Sequence, residues 1–356
     1  MSVSRKRVAI LGATGNVGQR LIEHLAGHPW FDITHVAASE RSAGRSYREA
    51  CDWRLPTPLP GAVADLEVRD MTPAADVDLA FSALDAAVAD TVEPEWARAG
   101  VAVFSNARSY RMAPDVPLVI SEVNAGHLDL LPAQRAARGF PGHGGIVTNA
   151  NCSATFLTMA LAPLHQRFGV RRVLVATLQA VSGAGYRGVS SMEILGNVVP
   201  FIGGEEEKLE SETQKMLGTL DGGAIVPAPI AVSAHTHRVA VLDGHTEAIS
   251  VELVEDPGLD AVKEALRSFR AAPQEMGLPS APDHPIVVLD ERDRPQPLLD
   301  LAVERSMATV VGRIRPCPVF HYKMVLLGHN TIRGAGPGSV LNAELMAARG
   351  LLGARP

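Results

Sequence analysis

Val8-Ala9-Ile10-Leu11-Gly12-Ala13-Thr14-Gly15-Asn16-Val17-Gly18 sets three glycines between a short apolar run and a helical pattern. The reading of this stretch decides the fold. Arg7–Leu11 is predicted as a strand, and Asn16–Ala26 carries Val17, Leu21, Ile22 and Leu25 at helical spacing. Gly12 suits the tight turn, Gly15 lets backbone approach a pyrophosphate, and Gly18 lets the helix lie close on the strand. The helix start then offers free N–H groups and the positive end of its dipole to phosphates. The spacing is GxxGxxG, a variant of the commoner GxGxxG, but strand, turn and helix follow in the order a dinucleotide site requires. A tight turn with no ligand is the plainer alternative.

Outward from there, short apolar runs recur at Ile33–Ala38, Val77–Leu84, Val101–Ser105, Val116–Ile120 and Gly145–Thr148. Strands alternating with helices predict an α/β fold with a Rossmann-like, doubly wound parallel sheet over residues 1–150. After residue 150 the pattern changes. Long strand-like stretches are expected at Val173–Val181, Ile230–Leu242, Thr246–Leu253, Thr309–Ile314 and Phe320–Leu327, with helices at Glu205–Leu217 and Leu259–Phe269. Asp243-Gly244, between two apolar runs, predicts a hairpin. Residues 151–336 therefore read as an α+β domain with a mixed, largely antiparallel sheet and helices on one side. The C-terminal helix, 337–356, is expected to return to the first domain.

Composition closes off other classes. The net charge of −6 comes without a basic stripe, which argues against nucleic acid. No apolar run is long enough to cross a membrane, and the basic start runs straight into the glycine motif rather than a signal-peptide core. Cys51, Cys152 and Cys317 cannot all pair, which fits a reducing cytoplasm and leaves thiols free. No metal site is expected.

The end of the second expected strand selects the dinucleotide. Ser39, Arg41 and Ser42 suit a 2′-phosphate, because an arginine can fork onto it. Glu40 is the dissenting residue, since NAD sites place a carboxylate on the ribose. Thr148-Asn149-Ala150-Asn151-Cys152-Ser153 follows a strand and opens the helical run Thr155–Phe168. A thiol there is expected to have a lowered pKa and to act as nucleophile; a buried structural cysteine is the alternative, and is the reading given to Cys51 and Cys317. His245 is the candidate proton-transfer partner. If Asp243-Gly244 closes a two-residue hairpin, His245 pairs across from Leu242 with Arg238 on the same face.

Taken together, these segments resemble the aspartate-semialdehyde dehydrogenases, particularly the branch common in archaea, fungi and some bacteria. The resemblance runs nearly end to end through Gly12–Gly18, Ala38–Gly44, Ser105–Asn124, Thr148–Thr155, Gln179–Gly185, Glu205–Met216, Arg238–Glu247, Asp293–Pro297 and Asn330–Gly336. It implies NADPH-dependent reduction of aspartyl phosphate through a Cys152 thioester, with His245 as general acid–base. It further implies Arg238 for the substrate carboxylate, Glu205 for its ammonium, Gln179 for the acyl group, and Arg111, Asn151 and Lys208 for phosphate. Thr14, Asn16, Val17 and Ser82 would serve the cofactor, and Ser182, Gly183 and Asn330 would flank the nicotinamide. The remaining charges of Glu205–Lys215 read as a solvated helix face. A homodimer or homotetramer built through the second domain is also implied.

The chain departs from the family pattern at Ala150, Thr236, His237, Ala240 and Pro337, all beside the expected site. The same chemistry on malonyl-CoA or an N-acetylglutamyl phosphate is the nearest alternative, and a non-catalytic NADP-sensing or two-domain binding protein is a more distant one. Glu205 and Arg238 together favour a free amino acid, since a CoA thioester has no ammonium.

Overall fold

The computed structural model of the protein describes residues 5–353; expectations for 1–4 and 354–356, at the two ends of the chain, lie outside the described residues. Seven strands form the first sheet: β1 (Lys6–Leu11), β2 (Phe31–Ala37), β3 (Val68–Arg69), β4 (Leu79–Ser82), β5 (Ala102–Ser105), β6 (Leu118–Val119) and β7 (Gly145–Asn149). They run parallel in the order β3-β2-β1-β4-β5-β7-β6. Helices cover both faces, so β4, β5 and β7 are buried along their whole length. The short edge strand β3 was not expected, because two residues carry no periodicity.

The strand order turns back between β1 and β4, and such a switch point opens a crevice at the strand ends. Gly12 sits there with φ +78. A Cβ on it would lie 2.7 Å from the Ala83 carbonyl oxygen beyond β4, so both the backbone conformation and the space require glycine. Gly18 has the packing role expected of it, since its Cβ would fall 2.3 Å from the Gly12 carbonyl oxygen.

The chain leaves β7 directly into the helix Cys152–Phe168, in which every residue from Ser153 to Leu164 is buried. A helix apolar on all sides belongs in an interior. It lies against the second sheet and against the helices Glu205–Met216 and Leu259–Arg267. β9 (Thr219–Asp221) and β10 (Ala224–Val226) form a small separate hairpin. The second sheet contains β8 (Val170–Gln179), β11 (Ala231–Arg238), β12 (His245–Leu253), β13 (Ile286–Leu289), β14 (Thr309–Pro316) and β15 (Tyr322–Gly328), ordered β11-β8-β12-β15-β14-β13. It is mixed, with β11–β8 and β13–β14 parallel and the other pairs antiparallel. The helix Gly336–Ala348 is buried from Gly336 to Ala347 and returns to the first domain, against helix Asn16–Leu25 and strands β4, β5 and β7.

The expected hairpin at Asp243-Gly244 does not form. β11 ends at Arg238 rather than continuing to Leu242, and β11 and β12 lie on opposite edges of β8. Residues 239–244 cross the end of β8 instead. There Val239 N–H donates to the Gln179 carbonyl, and the N–H groups of Val181 and Ser182 donate to the carbonyls of Val241 and Leu242. The turn itself is real, with Gly244 at φ +98. Its hydrogen-bonding partners come from the segment after β8, which local sequence does not reveal.

One buried ion pair joins the segment before the last helix to the first domain: Arg333 and Glu122, with side chains 2% and 0% exposed. Replacing Glu122 with Ala strands a buried guanidinium. Denaturant unfolding is expected to show a loss of about 3–5 kcal/mol; a loss under ~1 kcal/mol, as for a surface pair, would show that the pair is dispensable.

Candidate active site

Cys152 is the first residue of its helix, and Asn151 caps it. The Asn151 Oδ1 accepts from Ser153 N and Ala154 N, each at 3.0 Å. The same side chain donates from Nδ2 to Glu205 Oε1 at 2.7 Å, and its backbone N–H donates to Glu212 Oε2 at 2.7 Å. Both ends of the Asn151 amide are therefore engaged beside Cys152, and Asn151, for which the resemblance implied a part in binding phosphate, also lines the pocket.

The expectation of a lowered thiol pKa is corrected. Burial pushes the Cys152 thiol up to about 12, and the Glu205 carboxylate adds to the shift; Arg111, the Ser153 N–H and Arg238 oppose it. The helix start does not by itself outweigh desolvation.

Strand register gathers the next residues. Arg238 on β11 pairs with Gln179 on β8. One step beyond the Thr246–Leu178 pair, His245 on β12 comes level with Gln179 from the other side. Arg238, Gln179 and His245 thus form one row across three adjacent strands on the buried face. Arg238 and His245 share a face as expected, through β8 rather than a hairpin. Arg238 Nη1 donates to the Ala180 carbonyl at 2.7 Å, and Gln179 Nε2 reaches Glu205 Oε1 at 3.4 Å. His245 is fully buried, and burial with Arg238 nearby lowers its pKa to about 3, so the ring is neutral. Its Nδ1 accepts from Ala180 N at 3.1 Å, which places the ring proton on Nε2, an atom with no partner among the described residues. Gly183 lies directly over this pair: a Cβ there would meet Arg238 Nη1 at 2.7 Å and His245 Cε1 at 3.1 Å.

A pocket of about 630 Å³ brings Cys152, Gln179, Glu205 and Arg238 together with Arg111, Asn151 and Lys208. Ser182, Gly183 and Asn330 line it as well; Asn330 Nδ2 donates to Ser182 Oγ at 2.9 Å and its Oδ1 accepts from Gly244 N at 2.9 Å. Burial tends to raise the Glu205 pKa, but the Lys208 ammonium at 2.9 Å and the Asn151 amide outweigh it and hold the carboxyl below its ordinary value. Arg111 pairs with Glu212 at 3.1 Å.

Glu212 and Lys215 were read as solvated and are not, being 2% and 4% exposed. Glu212 anchors both Arg111 and the Asn151 backbone, and Lys215 donates to the carbonyls of Arg111, Ala113 and Val116. The signal for Glu212 was present, since it lies two turns from Glu205 on one helix face.

A second cavity of about 1090 Å³ adjoins the first. Gly12, Thr14, Gly15, Asn16, Val17, Ser39 and Arg41 all line it, as does Glu40. Ser42 does not, its N–H being turned back to the Ser39 carbonyl. Ser82 does not either; it is wholly buried at the end of β4, where its carbonyl accepts from Asn106. Asp70, Tyr186 and Arg187 line the cavity without having been expected. Of the departures from the family pattern, Pro337 falls in the first turn of its helix, where its missing N–H costs nothing. Ala150 and Thr236 are buried, and His237 Nδ1 lies 3.1 Å from the Thr177 carbonyl oxygen.

A dinucleotide crevice opening onto a half-buried cysteine, with a neutral histidine behind it, defines a cysteine-dependent aldehyde dehydrogenase. Residues 7–131 match the family model described as semialdehyde dehydrogenase, NAD binding domain, and residues 161–333 match semialdehyde dehydrogenase, dimerisation domain. The chain is 53% identical to the aspartate-semialdehyde dehydrogenase of Methanothermobacter thermautotrophicus, covering 95% of this chain and 98% of that protein. It is 46% identical to that of Trichophyton rubrum, over 98% and 99%. The crystal structure of aspartate semialdehyde dehydrogenase with NADP from Candida albicans superposes with a TM-score of 0.89 at 42% identity, over 97% of this chain and 99% of that one. This chain belongs to the aspartate-semialdehyde dehydrogenase family.

Two outcomes test this geometry. Gly183→Ala is expected to cut kcat/KM about 100-fold by displacing Arg238 and His245, with the unfolding midpoint unchanged; wild-type kcat/KM would show that the close approach does not matter. Glu205→Gln removes the carboxylate that raises the thiol, so the pH midpoint of iodoacetamide alkylation at Cys152 is expected to move down. An unmoved midpoint would mean that burial alone sets it.

Proposed function

We propose that the protein reduces L-4-aspartyl phosphate to L-aspartate 4-semialdehyde with NADPH, releasing phosphate, through a thioester on Cys152. One observation carries this reading: a single pocket sets Cys152 among Glu205, Arg238, Arg111 and Lys208. An amino-acid acyl phosphate presents an ammonium, a carboxylate and a phosphate, which call for those charges. Another acyl donor such as a CoA thioester brings no ammonium for Glu205 to bind.

The substrate ammonium on Glu205 neutralises the carboxylate that opposes the Cys152 thiolate, so binding favours the nucleophile. Sγ, its proton lost to solvent, then bonds to the acyl carbon and the carbon–oxygen bond to phosphate breaks, with Arg111 and Lys208 balancing the charge that departs. At the start of helix Cys152–Phe168 Asn151 takes up the N–H groups of Ser153, Ala154 and Thr155, which leaves the Cys152 N–H to stabilise the oxyanion. Bound NADPH supplies the hydride that reduces the thioester to a thiohemiacetal. The thiohemiacetal oxyanion expels the Cys152 thiolate as the carbon–sulfur bond breaks and the aldehyde leaves, with His245 Nε2–H as hydrogen-bond donor to the group that carries the charge. Gln179 orients the acyl group, and Ser182, Gly183 and Asn330 wall the space for the nicotinamide. Ser39 and Arg41 in the second cavity favour NADP over NAD.

Residues 1–150, with the segment 337–356, form the cofactor domain, and 151–336 the catalytic and dimerisation domain. The chain acts as a homodimer, or a tetramer of such pairs. Supporting this, Leu174 and Leu178 lie exposed on the open face of the second sheet, and Met192, Leu195 and Phe201 protrude nearby in sequence. Among the described residues no helix is long and apolar enough to cross a membrane, and the three cysteines are unpaired. Both suit a cytoplasmic thiol enzyme.

The test is the reverse reaction, with L-aspartate semialdehyde, inorganic phosphate and NADP or NAD, following nicotinamide absorbance. Phosphate-dependent reduction of NADP, absent in Cys152→Ala, is expected. Reduction by Cys152→Ala, or a requirement for CoA in place of phosphate, would overturn the proposal.

A further inference from the structure

The cofactor cavity draws part of its wall from the catalytic domain. Ser182 and Gly183 line the acyl pocket, Ala184 and Gly185 line both cavities, and Tyr186 and Arg187 line the cofactor cavity. This segment is pinned to the first domain. The Arg54 guanidinium lies over the Tyr186 ring, 4.3 Å from its centroid. Arg54 N–H donates to Gln19 Oε1 at 2.8 Å, and Gln19 Nε2 donates to the Thr14 carbonyl at 3.1 Å. The latch therefore stands beside the glycine turn, and Arg187 follows it by one residue at the exposed mouth of the cavity.

Charge then points to what Arg187 meets. The charged side chains lining the cavity are Glu40, Asp70, Asp85, Arg41 and Arg187. Asp70 is held below the usual carboxylate range by the Thr72 N–H, so it is ionised. A 2′-phosphate adds a charge of about −1.5 to −2. The pyrophosphate has its own donors in the free N–H groups at the start of helix Asn16–Leu25. The 2′-phosphate has Ser39 and Arg41, with Glu40 between them in sequence, and one guanidinium leaves a surplus of negative charge. Among the described lining residues Arg187 is the other cation.

We propose that Arg187, delivered by the catalytic domain, is the second cation of the 2′-phosphate subsite and a determinant of NADP over NAD. This rests on the NADP reading above. The 2′-phosphate would then tie down the segment that also walls the acyl pocket, linking cofactor identity to the shape of the substrate site.

The test is equilibrium titration of the whole, unliganded enzyme with NADPH, NADH and adenosine 2′,5′-bisphosphate, comparing wild type with Arg187→Ala and Arg187→Lys. Arg187→Ala is expected to weaken NADPH and the bisphosphate about 10- to 100-fold, the range of charge-assisted hydrogen bonds, and to leave NADH unchanged. Arg187→Lys should retain part of the affinity, keeping the charge without the fork. Equal weakening of NADPH and NADH would place Arg187 on a part the two share, and unchanged NADPH binding would remove it from the site; either overturns the proposal. A wild type that prefers NADH would instead overturn the NADP reading itself. No substrate is present, so the identity of the acyl donor does not enter.

Discussion

The side-chain amide of Asn151 is the interaction on which the site depends. It stands where β7 of the first sheet becomes the buried helix of the second domain. Its oxygen caps that helix, its nitrogen holds Glu205, and its backbone N–H is held by Glu212. One residue thereby ties β7, which lies between β5 and β6, the Cys152 thiol and the helix Glu205–Met216 into one unit. A cap on an exposed helix is worth about 1 kcal/mol; here the same bonds also fix where a thiol and a carboxylate meet.

From that point the second sheet completes the constellation by register. Arg238, Gln179 and His245 come from strands far apart in sequence and stand level because β11 and β12 flank β8. The next row inward on the same face is Thr236, Thr177 and Glu247. Glu247 is fully buried with neither carboxyl oxygen partnered, and burial, with Glu205 nearby, holds its pKa well above the usual range. A neutral acid there spares the site a second buried negative charge near Glu205.

The electrostatics are arranged so that the free site is restrained. Burial, with Glu205 adding to it, keeps the thiol protonated, and Glu212 occupies Arg111. A cation set against Glu205 would lower the thiol pKa, and an anion beside Arg111 would compete with Glu212 for it.

The glycine motif, the alternation of strands and helices and the Asn-Cys helix start were legible because each is local: a turn needs its glycine, a helix its cap and its period. Those features determined the dinucleotide fold and placed Cys152 at a helix start, and the joint order of segments named the family. Other features were not legible. The false hairpin at Asp243-Gly244, the burial of Glu212 and Lys215, the loss of Ser42 and Ser82 from the cofactor cavity and the entry of Arg187 into it all turn on which distant segment supplies a hydrogen bond or excludes water. The raised thiol pKa has the same origin. A helix start favours a thiolate wherever it occurs, whereas desolvation and the nearness of Glu205 exist only once the chain has folded, because both are properties of the surroundings and not of the residue.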